Sequence, residues 1–371
     1  MKATLMDWLN IRLRLNLIVM IRAAALSVII SCLIALSPQG SNVAGITLRE
    51  DGESEGLARV LSWLPADTET ITVARGPFVF AANRLGQSEA KDRAISDNEL
   101  GESFEDLPLA LLQFKNGLLA KHLVGKTINL ALEGSRHFRP PARLGEMPFE
   151  GCAVAVFADS VRKEIDAFTK DAQSSILKVE RIEGQDVQIF QEKLEQDTWT
   201  AFVALPNEHV ILVATDRDYL AEVLARLRGK IGQRALPSDL PEWRYVNTSA
   251  RFWGVRHYDK GQAQVDPSSP FGGRKSANSP DEQAVGLTFV LDSQGGKSAT
   301  VTYLSGDSRI SSKPSDSPLG MAGVPEAKGL NIKYRELSPG VVQASYSLEH
   351  LEAAQFFFFV LADALGHAIY L

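Results

Sequence analysis

A chain of 371 residues, 45% of them hydrophobic, has ordinary globular composition and enough apolar mass for two modest cores. Its net charge of −6 and sequence pI near 5.6 exclude the basic footprint that nonspecific nucleic-acid binding needs. With only Cys32 and Cys152 present, a disulfide framework is excluded as the source of stability.

The N-terminal stretch carries an address. Arg22 precedes an unbroken run of apolar and small residues from Ala23 to Ser37, and a Pro/Gly/Ser-rich exit follows from Pro38 to Gly45. Positive flank, short apolar run and small-residue exit are the parts of a secretory signal. Residues 1–44 are therefore expected to act as a signal peptide or membrane anchor, with export to the periplasm, cell envelope or beyond. Met20 offers a well-proportioned alternative start. Leu17 to Leu36 has the roughly 20 residues a bilayer span needs, which is the anchor alternative. Ile29-Ile-Ser-Cys32 loosely fits a lipoprotein cysteine, but the apolar Leu33 to Leu36 argues for the plain signal. Four cations against Asp7 give this segment +3, so the remainder carries −9.

Residues 51–64 predict a short helix with Leu57, Val60, Leu61 and Leu64 on one side, and Thr70–Ala74 a strand. Asn83 to Asp106 is acid-rich and reads as a surface loop. Pro108 suits the first turn of a helix whose apolar face is Leu109, Leu112, Leu119 and Leu123. A strand at Ile128–Leu132 leads to a basic, proline-containing loop from Gly134 to Gly145. Further strands are expected at Phe149–Phe157, Ile176–Ile182 and Val187–Glu192, with a helix capped by Asp159 or Ser160 running to Ala172.

The best-defined unit follows. Thr198–Leu205 and His209–Ala214 are rich in β-branched and aromatic residues, and a turn at Pro206–Glu208 joins them. Thr215-Asp-Arg-Asp218 is a capping-box-like start, after which Tyr219, Leu220, Val223, Leu224 and Leu227 recur at helical spacing until Gly229. The same order closes the chain: strands Leu330–Leu337 and Val341–Tyr346, then a helix from Leu348 to Leu365 capped by Ser347. A structural duplication is the expectation. Between these units lie a connector at Leu236–Pro241, an aromatic strand from Trp243 to Tyr258, and a hairpin from Val285–Leu291 and Ser298–Leu304.

The fold expected is α+β, two associated lobes of antiparallel hairpins each packed by helices. The lobes would cover residues 45–232 and 233–371, the second with flexible insertions at 261–284 and 305–328.

No motif for chemistry meets its context. Ala120-Lys-His-Leu-Val-Gly-Lys-Thr127 fits a relaxed phosphate loop, yet a helix precedes it and a strand follows, the reverse of what phosphate cradling requires. Ser160-Val-Arg-Lys163 and Ser175-Ile-Leu-Lys178 have Ser-x-x-Lys spacing without the companion elements that chemistry needs. Six scattered histidines and the single Cys152 of an apolar strand give no metal cluster, so no catalytic residue, metal or cofactor is assigned.

Two patches remain as ligand-binding candidates. Arg136, Arg139 and Arg143 sit on a predicted loop. Arg251 to Tyr258 sets Trp253, Val255 and His257 on one strand face and Phe252 and Arg256 on the other, so Trp253, Arg256 and His257 complete the set. Aromatic faces and arginine forks suit an anionic or planar ligand. The functional expectation is a non-catalytic extracytoplasmic binding or interaction protein. The alternative is a cell-envelope hydrolase with a dispersed active site, in which His257 would couple to a carboxylate. The partner is an unidentified small molecule or protein, nucleic acid is excluded, and membrane contact is confined to the N-terminal segment.

Overall fold

The computed structural model describes residues 58, 60–81, 107–136, 150–173, 176–194, 197–230, 232–257, 284–291, 298–305, 330–349, 354 and 357. The N-terminal address segment, Arg139, Arg143 and most of both insertions therefore lie outside the described residues. The fold is mixed and mostly antiparallel β, with few helices. Its strands are β1 (Thr70–Val79), β2 (Thr127–Arg136), β3 (Glu150–Phe157), β4 (Ile176–Ile182), β5 (Gln185–Leu194), β6 (Asp197–Asn207) and β7 (Val210–Ala214). After these come β8 (Phe252–His257), β9 (Ala284–Leu291), β10 (Ser298–Ser305), β11 (Leu330–Ser338) and β12 (Val341–Leu348). Among the described residues the helices are α1 (Phe114–Leu123), α2 (Arg162–Asp171) and α3 (Arg217–Leu227), with further helical residues at 58, 60–61, 354 and 357 and 3₁₀ turns at Leu107–Gln113 and Pro241–Arg244.

The twelve strands form one sheet in the order β11-β12-β10-β9-β8-β1-β2-β3-β7-β6-β5-β4. The two halves of the sheet meet where β1 pairs with β8, through Thr70 opposite Arg256 to Ala74 opposite Phe252. Strand register then assigns the faces, because directly opposed residues point the same way. Tyr346 opposes Ala299, and Phe252, Ala74, Ala131, Ala155 and Ile211 oppose one another from β8 to β7; together they define the first face. Leu109 and Leu112 of the first 3₁₀ turn, Leu119 and Leu123 of α1, Phe168 of α2, and Phe357 pack there. Trp253, Val73, Leu132, Val154, Leu212, Ala204 and Val187 define the second face. Leu61, Leu64 and the Tyr219, Leu220, Val223 and Leu224 stripe of α3 cover it.

Several sequence expectations change in detail. Gly134, Ser135 and Arg136 belong to strand β2, not to a loop, because each continues the ladder to β3. At α3 the cap is Asp216, which accepts from the Asp218 and Tyr219 amides, while the Thr215 hydroxyl is bound to the Gly151 amide. Helix α2 starts after Val161, whose own side chain makes no cap bond, and the Ser160 hydroxyl accepts from the Arg162 amide at 3.4 Å. Pro206 and Asn207 remain in β6, so the turn falls at residues 208–209. Trp243 lies in the second 3₁₀ turn, and the strand expected from there begins only at Phe252. Ser347 lies inside strand β12, which runs on to Leu348, so it is not the helix cap expected there.

The expected duplication fails on handedness. Helix α3 packs on the second face behind β6 and β7, whereas Ala354 and Phe357 pack on the first face behind β11 and β12. Phe357 meets Tyr346 there at 4.7 Å between ring centroids. Viewed from its own helix with the second strand pointing up, β6 lies to one side of β7 and β11 to the other side of β12. The two strand-strand-helix units are of opposite hand, so no rotation superposes them.

The phosphate-loop lookalike has the inverted order read from sequence: α1 precedes it and β2 follows. Lys126 instead bonds Glu164 of α2 at 2.5 Å. Burial works to raise the Glu164 carboxyl, but the Lys126 hydrogen bond outweighs it and holds the group below its ordinary value.

Candidate functional site

The register gathers polar residues at one end of the central strands. Thr70 opposes Ser135 on one side and Arg256 on the other, and Thr72 opposes Glu133 and Gly254. All lie on the first face, and Thr70, Thr72, Glu133, Ser135 and Arg256 are buried. Their neighbours Gly254, Gly151 and Ala153 are small. The Thr72 hydroxyl is fully buried and has no hydrogen-bond partner. An unsatisfied buried hydroxyl costs about 1–3 kcal/mol, so it marks a place where stability yields to something else.

The second face of the same end is built around two charge assemblies. The first centres on Arg136. Its Nε donates to Glu150 at 2.9 Å, one terminal nitrogen donates to Asp67 at 2.6 and 2.7 Å, and Glu222 lies 3.7 Å away. Its guanidinium also sits 5.1 Å from the centre of the Tyr219 ring. Burial works to lower the Arg136 pKa, but Asp67 and Glu150 outweigh it and raise the value. Tyr219 in turn shares a 2.8 Å hydrogen bond with Thr68, and burial pushes its phenol up. Gly134 keeps this assembly together, since a β-carbon there would lie 2.6 Å from Leu64 Cδ1 and 2.8 Å from the Tyr219 hydroxyl.

The second assembly is His257 with Glu242. The His257 Nδ1 and Glu242 Oε1 are 2.6 Å apart, and the Glu242 side chain is fully buried while the imidazole is partly exposed. Glu242 belongs to the second 3₁₀ turn, which lies over β8. A carboxylate on Nδ1 fixes the orientation of an imidazole.

Each residue singled out from sequence has a different fate. Trp253 is fully buried in the second-face core, 6.0 Å from Trp243 in an edge-to-face contact. Arg256 and His257 share one strand but point to opposite faces, so β8 does not present them together. Arg136 joins His257 at the same end of the second face, with Glu69 between them: Glu69 donates its amide to Ser135 and accepts from the His257 amide at 2.8 Å. Arg139 and Arg143 lie outside the described residues.

Glu242, Glu133, Thr72 and the carboxylates around Arg136 carry no sequence signal. Glu242 reaches His257 only because the connector folds back, and Thr72 and Glu133 look like ordinary members of alternating strands. Cys152 lies in the second-face core, where burial, and then Glu133, pushes its thiol far above the range of a nucleophile. Among the described residues no group of three or more His, Cys, Asp or Glu is placed to hold a metal, and no helix is long and apolar enough to cross a membrane.

No protein family, curated protein or solved structure matches this chain. What the end of the sheet offers chemically must be read from its own side chains. The first face offers hydroxyls and both signs of charge for recognition; the second offers one oriented imidazole for proton transfer.

Proposed function

We propose that the chain is an exported, non-catalytic binding protein whose site is the buried polar row of β8, β1 and β2. Its two lobes, 45–232 and 233–371, would meet at that row. The observation that carries this reading is the fully buried, unpartnered hydroxyl of Thr72 in a row that also holds Glu133 and Arg256. Hydroxyls with one anion and one cation suit a small polar solute bearing both charges. Export rests on the sequence of residues 1–44 alone.

Thr72→Val is expected to raise the stability of the free protein by about 1 kcal/mol, because the orphan hydroxyl is removed. A thermal-shift series against free amino acids and short peptides is then read in parallel. Stabilisation of the native chain by one of them, lost in Thr72→Val, supports the site. A Thr72→Val chain that is less stable than the native one, with no solute stabilising either, assigns the hydroxyl to structure and ends this reading.

The envelope hydrolase is the second reading, favoured by the 2.6 Å contact of His257 with a buried carboxylate. Under it, Glu242→Gln would keep the contact but lower turnover of ester or glycoside probes at least 10²-fold, as loss of a general base's partner does. Absence of turnover by the native chain across such probes removes it.

A further inference from the structure

Strand β4 is one of the two ends of the sheet: it pairs with β5 and, among the described residues, with no strand on its other side. Val179 in its middle is 59% exposed, the most exposed large apolar side chain among the described residues. An open edge carrying an exposed β-branched residue is a template for strand addition. Lys178, Glu180 and Arg181 surround Val179 and deter a generic apolar strand, as edge charges do.

The same charges select a particular partner. The strand reads Ile176-Leu-Lys-Val-Glu-Arg-Ile182, and the charge changes sign across Val179. Antiparallel pairing of two copies centred on Val179 sets Lys178 of each opposite Glu180 of the other. It also sets Val179 against Val179, within the regular stretch from Lys178 to Ile182 that follows the bulge at Ile176. Opposite-charge cross-strand pairs contribute about 0.2–1 kcal/mol each, and like charges cost a similar amount. Centring the pair on Lys178 or on Glu180 instead opposes identical charges, and a one-residue slip turns every side chain to the wrong face. Only the Val179 register is self-complementary.

Within one chain Lys178 and Glu180 already sit 2.7 Å apart on the second face, and Arg217 of α3 adds a 2.6 Å contact to Glu180. Each copy therefore presents Glu180 between two cations, with Lys178 56% exposed and able to swing to the neighbouring carboxylate. We infer that β4 is a homodimer edge, at which two copies of this chain join about a two-fold axis through Val179 into one continuous sheet. Such a closed, isologous contact satisfies both edges at once. A strand-to-strand contact of this size is small, so the dissociation constant is expected on the order of tens of micromolar.

Sedimentation velocity on the purified chain tests this. The native chain is expected to dimerise reversibly, Lys178→Glu to weaken the dimer about tenfold, and the exchanged pair K178E/E180K to restore it. Circular dichroism melts confirm that each variant is folded. Because Glu180 also binds Arg217, a second readout leaves it untouched. Val179→Cys in a Cys32→Ser background should form a disulfide-linked dimer under mild oxidation, since directly opposed antiparallel residues lie within disulfide reach. A native chain that stays monomeric at concentrations ten times the expected constant, a dimer indifferent to Lys178→Glu, or a Val179→Cys chain that does not cross-link overturns the inference.

Discussion

Gly76→Ala is expected to be strongly destabilising, costing about 3 kcal/mol or more. Gly76 lies in β1 where the register to β2 slips between Arg75 and Phe78. A β-carbon there would overlap the Ile128 carbonyl oxygen and approach the Asn129 Cα to 2.9 Å. Those atoms are backbone, so no side-chain rotation relieves the clash, and relief must part β1 from β2. Gly125→Ala is the control. Nothing lies within 4 Å of its β-carbon position, and only the positive φ of 84° opposes the change, which costs about 1 kcal/mol. Urea titrations of the two variants should therefore differ clearly in midpoint; equal midpoints contradict the packing described at Gly76.

Trp253→Ala is expected to cost about 3–5 kcal/mol, the range for a fully buried large side chain removed from a core. Val73 opposes Trp253 in register, and Trp243 packs edge-on to its ring. Its indole nitrogen has no hydrogen-bond partner, so the loss is one of packing alone. Trp253→Phe should recover more than half of the loss. A surface aromatic platform, the role considered from sequence, would lose less than about 0.5 kcal/mol on the same change. Thermal unfolding of the three proteins separates the two roles.

What the sequence made legible was local. The β6-β7-α3 unit needs only β-branched runs, a short turn and a leucine stripe, and each signal lies within a dozen residues of the next. The strands of the second half were legible for the same reason. The faces of β8 followed from simple alternation, which put Trp253 with Val255 and Phe252 with Arg256. Errors arose where a strong local signal pointed the wrong way. Pro140 and Pro141 drew Gly134 to Arg136 into a loop, although the β2 ladder runs through Arg136 to Glu150. Two aromatic-rich stretches around Trp243 and Trp253 looked like one strand but are a 3₁₀ turn packed on a strand.

The candidate site was legible only in fragments, because it is made by long-range pairing. Arg136, Arg256 and His257 were visible as chemistry-bearing residues. Glu242, Thr72 and Glu133 were not, since nothing in a single strand or connector tells which side chains a distant strand will oppose. The pairing of β1 with β8 joins residues about 180 positions apart and has no local signature.

That one junction also sets an order of events for the chain. Strand β1 finds β2 within its own neighbourhood, but its other edge stays bare until the polypeptide has been extended as far as Phe252. Late closure of a central seam raises the mean sequence separation of contacts and slows acquisition of the final shape. Until then the apolar rows beside Val73 and Ala74 are open on one flank, where a stranger's strand can bind as readily as the proper one. A cell producing this molecule at high rate would need to shield that flank, and fragments ending near Gly229 should be the first to clump.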